Sequence, residues 1–250
     1  MIELKNASFF YGQRKIIDKA QLRLCEGELC ALIGQNGCGK TTLLRLISGL
    51  CRPESGELLL DGKSYEKYKR KEFAAKLSFL PQTPPDIKMN VYDYIAYGRY
   101  PYTGISFCLT DRDRAAIEGA VDDTGVGKLL SRDISELSGG ERRLVCLARV
   151  IAQDTPYILL DEPTAFADVK NSFLISDIMA DQAKKGKCVL AVMHDIALAM
   201  STFPRIAVMH EGKIISDGTA EQTSANKAVE RAFGVTCEKT DRGYVLNKMS

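Results

Sequence analysis

The clearest chemistry in the chain lies in the stretch Gly34-Gln35-Asn36-Gly37-Cys38-Gly39-Lys40-Thr41-Thr42. Glycines at this density let the backbone turn tightly and aim several N–H groups into one concavity, which suits an anion. The preceding run Leu29-Cys30-Ala31-Leu32-Ile33 reads as a buried strand, and the following Leu43-Leu44-Arg45-Leu46-Ile47 reads as a helix. The start of that helix adds the positive end of its dipole. Lys40 supplies a compact charge for β- and γ-phosphates, and the Thr41 hydroxyl can ligate Mg2+. A glycine-rich turn alone is common, but strand, loop, lysine and helix in this order make a phosphate-binding loop for a nucleoside triphosphate. Cys38 has two readings: a thiolate stabilised beside the helix start and open to alkylation or oxidation, or a tolerated choice at a variable loop position.

Further candidates stand at the ends of other apolar runs. Asp161 and Glu162 follow Tyr157-Ile158-Leu159-Leu160. Downstream of a phosphate loop, two adjacent carboxylates can divide the work, one near a metal and one polarising water. His194 follows the run from Cys188 to Met193, at a strand end where α/β sheets place ligand sites, although a lone histidine is usually structural. Gln82 follows the strand-like Leu77-Ser78-Phe79-Leu80 and is either an amide that donates and accepts or a simple loop residue. Leu137-Ser138-Gly139-Gly140-Glu141 opens a helical pattern, as a second anion-friendly N-terminus or an ordinary cap. Tyr11 ends the run Phe9-Phe10-Tyr11, and its ring could stack on a nucleobase or pack in a sheet.

These residues need a scaffold, and the patterning supplies one. Residues 2–33 alternate apolar and polar, with turns at Tyr11-Gly12 and Glu26-Gly27, as antiparallel strands do. A short strand over 57–60 ends at Asp61-Gly62, and residues 65–76 form a basic, helical, solvated face. After Pro84-Pro85 the pattern turns helical over 90–98, 111–123 and 139–153. Another helix spans 169–184, a hairpin spans 205–219 with its turn at Glu211-Gly212, and the tail reads as a short helix and a strand. The expected fold is α/β: a P-loop NTPase core from residues 1–82 and 155–250, its mixed sheet carrying an N-terminal antiparallel part, with a helical insertion at 83–154.

Composition is that of a globular protein, with 250 residues, 45% hydrophobic and 26% charged. The net charge of +2 gives no reason to expect nucleic acid as a partner. No apolar run approaches the roughly 18 residues of a membrane span, and the N-terminus lacks a signal peptide's apolar core. The expectation is a cytosolic chain whose membrane attachment comes through a partner. The eight cysteines are scattered without a C-x-x-C pair and read as reduced thiols, mostly small core fillers.

Taken together, these pieces resemble the ATP-binding subunit of ABC transporters over nearly the whole chain. Leu137-Ser138-Gly139-Gly140-Glu141 resembles the family's signature motif, Gln82 the Q-loop, Asp161-Glu162 the Walker B pair, Asp168 the D-loop, His194 the switch histidine and Tyr11 the aromatic A-loop. The stretch from Val91 to Tyr102, with Gly98-Arg99-Tyr100-Pro101-Tyr102, is similar to importers of iron-siderophores, haem and cobalamin, and Leu109-Thr110-Asp111-Arg112-Asp113 fits that subgroup.

The resemblance implies an ATPase that uses ATP and Mg2+ in a head-to-tail homodimer. Each ATP would contact Tyr11, Gly34, Asn36, Gly37, Cys38, Gly39, Lys40, Thr41 and Thr42 of one copy and Ser138, Gly139, Gly140, Glu141 and Asp168 of the other. Thr41, Gln82 and Asp161 would hold the metal. Glu162 would be the general base, with Lys40, Gln82 and His194 completing the catalytic set. Membrane-spanning permease subunits would be direct partners on the cytoplasmic face of the membrane, and a substrate-binding protein an indirect one. A soluble ABC-type ATPase that remodels a protein or nucleic-acid partner is the alternative reading, and residues 98–102 favour the importer. Departures from the family pattern are Ala165-Phe166-Ala167 before Asp168, where a leucine usually precedes the aspartate, Leu144 in place of a common arginine, and Gln35 and Cys38 in the phosphate loop. No catalytic group is lost.

Overall fold

Alternation decides the first sheet. In the strand Ile2–Tyr11, Ile2 and Leu4 are buried while Glu3 and Lys5 face outward, the pattern of a sheet with one covered face. Arg14–Leu24 pairs antiparallel with it, Ile2 opposite Leu24, and Ser55–Leu60 pairs on its other side, Ile2 opposite Leu60. The two-residue strand Lys63–Ser64 closes that edge. The computed structural model describes residues 1–104, 108–165, 167–241 and 243–248.

A continuous apolar run decides the second sheet. All residues of Leu29–Gly34 are buried, as a strand covered on both faces requires. It runs parallel to Cys188–Val192 on one side and to Arg205–His210 on the other. Lys213–Gly218 returns antiparallel beside the latter, so the sheet is mixed. These strands, the antiparallel sheet and both chain ends form one compact unit, Met1–Lys67 with Cys188–Ser250. Its tail holds more than the expected helix and strand. Two six-residue helices, Ala220–Ala225 and Ala228–Phe233, precede an antiparallel hairpin, Val235–Thr240 with Gly243–Lys248. Helices this short give no readable period, and Lys227 separates them in a left-handed conformation (φ 54°). The helix Ile196–Thr202, capped by Asp195, was also invisible to the pattern.

The second unit is Tyr68–Lys187. Its strands Leu77–Leu80 and Tyr157–Asp161 pair in parallel, and its longer helices are Asp111–Thr124, Gly139–Ala152 and Val169–Lys184, close to the expected spans. The expected helix at 90–98 is Val91–Ala96 followed by a 3-10 turn, and residues 65–76 hold only a 3-10 turn and the helix Arg70–Ala74. The bounds of the two compact units fall at 67/68 and 187/188. The strand pair and the helix Val169–Lys184 share this unit with the helical segment, and the buried Arg143 described below ties the strand ends to the helix Gly139–Ala152. Among the described residues, no helix is long and apolar enough to cross a membrane.

Candidate nucleotide site

The loop after Leu29–Gly34 is built around its glycines. Gly39 adopts φ 110°, a left-handed value that L side chains rarely reach, and sits at the N-cap of the helix Lys40–Ile47. Having no side chain there, it leaves the first-turn amides to a ligand, and no acidic residue opposes an anion in that turn. Lys40 is buried (7% exposed), and its ammonium donates to the carbonyls of Gly34 (2.6 Å) and Gln35 (2.9 Å). Beside the loop lies a cavity of about 290 Å3, walled by Arg14, Lys15 and Ile16, by Gln35, Asn36, Gly37 and Cys38, and by His210, Glu211 and Gly212. Arg14 and Lys15, which the motifs did not single out, make this wall cationic. Tyr11, at the end of the strand leading into that wall, is 48% exposed and meets Phe9 edge to face at 4.9 Å.

Register brings His194 to the same sheet edge as the loop. Leu32 lies beside Val192, and Met193 N–H donates to the Leu32 carbonyl at 3.1 Å, so Gly34 ends its strand where His194 stands just past the carboxyl end of the neighbouring parallel one. His194 is exposed there.

Cys38 does not behave as the reactive reading expects. Burial pushes its thiol pKa up, outweighing the nearby Lys40 charge and the two backbone bonds, from Lys40 and from Cys38 itself, that favour the thiolate. Its sulfur also packs against Gly34, 2.7 Å from where a Cβ there would stand. At neutral pH, iodoacetamide is expected to label exposed Cys108 well before Cys38, read by peptide mass spectrometry. Faster labelling of Cys38 would reverse this assignment. All eight cysteines are reduced thiols, and Cys30, Cys146, Cys188 and Cys237 are the buried ones.

The second unit carries the remaining candidates. Asp161 ends its strand 1% exposed, and Glu162 follows with φ 50°, an uncommon conformation for a residue with a side chain. The Ala165 N–H closes this turn onto the Glu162 carbonyl at 3.0 Å. Phe166 of the altered D-loop lies outside the described residues. Asp168 caps the helix Val169–Lys184 by accepting from Asn171 N–H at 2.7 Å. Ser138 caps Gly139–Ala152 in a reciprocal box with Glu141, whose carboxylate accepts from both the Ser138 N–H (2.9 Å) and its hydroxyl (2.7 Å). The Ser138 hydroxyl holds the Glu141 carboxyl below the usual carboxylate range. Ser138 and Gly139 are exposed, so this helix start faces solvent. Gln82 is exposed at the side chain, while its carbonyl accepts from Arg143 at 3.2 Å.

Arg143 is the residue the sequence reading missed. It is fully buried and binds main-chain carbonyls on the segments of both Gln82 and Glu162. Its signal was present: Arg143 lies on the apolar stripe of its helix, three and four residues before buried Cys146 and Leu147.

The stretch 98–102 proves to be a packing node. Arg99, 1% exposed, pairs with Asp113 at 2.8 Å and donates to the carbonyls of Ala152 (2.9 Å) and Gln153 (3.2 Å), with its guanidinium 4.0 Å from the Tyr102 ring centre. Asp113 closes a capping box with Thr110. Gly98 presses on the Arg149 carbonyl oxygen, where any Cβ would collide with backbone. Gly98→Ala is therefore expected to cost about 1–3 kcal/mol, seen as a lower melting temperature. An unchanged melting temperature would contradict this packing.

Thr41 in the first unit offers a hydroxyl, and Asp161 and Gln82 in the second offer a buried carboxylate and an amide oxygen, each by itself a hard oxygen donor of the kind Mg2+ takes. Among the described residues, no group of three or more His, Cys, Asp or Glu forms a dedicated metal cage.

A glycine-rich phosphate loop opening a helix, fed by a buried parallel strand with a histidine at the neighbouring strand end, defines a P-loop nucleoside triphosphatase. Residues 17–165 match the ABC transporter family, and the chain belongs to that family as an ATPase. It is 36% identical over 242 residues to the hemin import ATP-binding protein HmuV of Myxococcus xanthus, covering 94% of this chain and 90% of that protein. It is 32% identical over 239 residues to the petrobactin import ATP-binding protein FpuD of Bacillus anthracis, covering 95% and 88%. The solved structure of cbiO1 from Clostridium perfringens, part of the ABC transporter complex cbiONQ, superposes with a TM-score of 0.79 at 26% identity, covering 92% of each chain.

Proposed function

We propose that this chain is the ATP-hydrolysing subunit of an ABC importer that takes up an iron-siderophore, haem or cobalamin through membrane-spanning partners. The observation that carries this reading is likeness to import ATP-binding proteins for hemin and petrobactin across more than nine-tenths of the chain. Residues 1–82 and 155–250 act as the nucleotide-binding core, and 83–154 as the helical part that answers to the permease at the cytoplasmic face of the membrane.

Lys40 transfers its hydrogen bonds from the loop carbonyls to the β- and γ-phosphates, which the amides of Gly37, Cys38, Gly39, Thr41 and Thr42 also cradle. Gly34 and Asn36 shape the loop, and Tyr11 stacks on the base. Thr41, Asp161 and Gln82 would hold Mg2+, which would supply positive charge against the phosphates. Glu162 accepts the proton of the attacking water, and His194 donates to the γ-phosphate. The exposed start of the signature helix supports a head-to-tail homodimer, in which Ser138, Gly139, Gly140 and Glu141 of one copy meet the γ-phosphate held by the other and Asp168 couples the copies. Catalysis is then mainly positioning and charge stabilisation.

Affinity purification of the tagged chain from detergent-solubilised native membranes tests this reading. Recovery of a permease with many spans is expected. Recovery of soluble partners only would replace the importer with an ABC-type remodelling ATPase.

A further inference from the structure

The parallel ladder between Leu77–Leu80 and Tyr157–Asp161 has its last register pair at Leu80 and Leu160. Beyond it the chain has no means of continuing the ladder. Pro81 lacks an N–H, and Glu162 turns into the left-handed region. Five carbonyls follow on the two segments, and one side chain serves them all. A guanidinium offers five N–H donors in a rigid planar fork. In Arg143, Nε donates to Pro163 at 3.1 Å, Nη1 to Pro81 at 2.8 Å and Gln82 at 3.2 Å, and Nη2 to Asp161 and Glu162 at 2.6 Å each.

Arg143 lies two residues past Glu141, in the helix that Ser138 starts. Signature helix, Gln82 segment and Glu162 turn thus share one rigid node. We propose that Arg143 is a positioning residue, which fixes Gln82 and Glu162 in register with each other and with the signature helix. The proposal rests on the reading of Glu162 as the base. A lysine cannot replace this group, because an ammonium has three donors around a point and cannot span both segments with a fixed fork.

The test uses the purified full chain as wild type, Arg143→Lys and Arg143→Met, with ATP turnover and amide hydrogen exchange measured on each. In Arg143→Lys, amides of 82–83 and 161–165 are expected to exchange about tenfold faster together, while the rest of the chain keeps its protection. Turnover is expected to fall about 10- to 100-fold with KM for ATP nearly constant, since misplacement by an ångström costs this much. Loosening of one segment alone, or turnover unchanged while both loosen, would overturn the proposal. So would a rise in KM that accounts for the loss. Should Arg143→Met fail to fold, the lysine variant decides, and in the wild type the two segments must already exchange with one common rate. Absence of wild-type turnover would refute the proposed function, while the exchange data would still decide whether Arg143 ties the two segments.

Discussion

Glu162→Gln is expected to lower ATP turnover by about 10²- to 10⁴-fold while leaving ATP binding nearly intact. Glutamine keeps the size and planarity of the side chain and removes only its ability to take a proton. The backbone supports so clean a split. The Glu162 carbonyl is held by Arg143 at 2.6 Å and by the Ala165 N–H at 3.0 Å, so the turn is fixed without help from the carboxylate. Steady-state hydrolysis beside a nucleotide-binding isotherm separates the two quantities. Equal rates for the two proteins would remove Glu162 from the role of base, and a matching loss of affinity would make it a binding residue instead.

Asp113→Ala is expected to cost about 3–5 kcal/mol of stability, the usual consequence of leaving a buried charge without its counter-ion. Arg99 would keep the carbonyls of Ala152 and Gln153 and the Tyr102 ring, none of which carries a formal negative charge. The pair also predicts a pH dependence. Burial pushes the Asp113 carboxyl up, but bonds from Thr110 and Arg99 outweigh burial and hold it below the usual range. Its contribution is therefore complete above the unfolded value of about 3.9 and is lost as pH falls through the lower folded-state value. Wild type and Asp113→Ala should converge in stability as the solution is acidified. Chemical denaturation from pH 7 down to the onset of acid unfolding measures this, and a constant gap would show that the carboxylate's charge contributes nothing.

The phosphate loop was legible because its chemistry is local. Gly39 needs its left-handed backbone, Lys40 its charge and the flanking runs their burial, and each leaves a mark within a few residues. Strands of one apolar run were legible for the same reason, as were the long helices from Asp111 and Val169. What escaped was set at a distance. Arg143 reads as one more polar residue after the signature until its carbonyl partners, 18 to 62 positions away, are brought beside it. The 98–102 stretch likewise pointed to a subgroup of importers without revealing that Arg99 is buried against Asp113 and the end of the signature helix. Cys38 stayed open between two readings, because proximity to a helix start and a lysine favours the thiolate, whereas burial, which only the fold reveals, pushes its pKa up.

Lys40 spends two of its three donors on the carbonyls of its own loop, at 2.6 and 2.9 Å. Any anion that reaches for the ammonium therefore competes with acceptors already in place, and gains only the difference. A lone phosphate or carboxylate replaces those two bonds with about as many. An anion that also reaches the amides of the helix start gains further bonds, and a polyphosphate, with several anionic groups in a row, satisfies more of them at once than a single ion does. The loop thus grades ligands by how many anionic groups they present together, and selectivity against simple salts is built into the backbone that the lysine folds back upon.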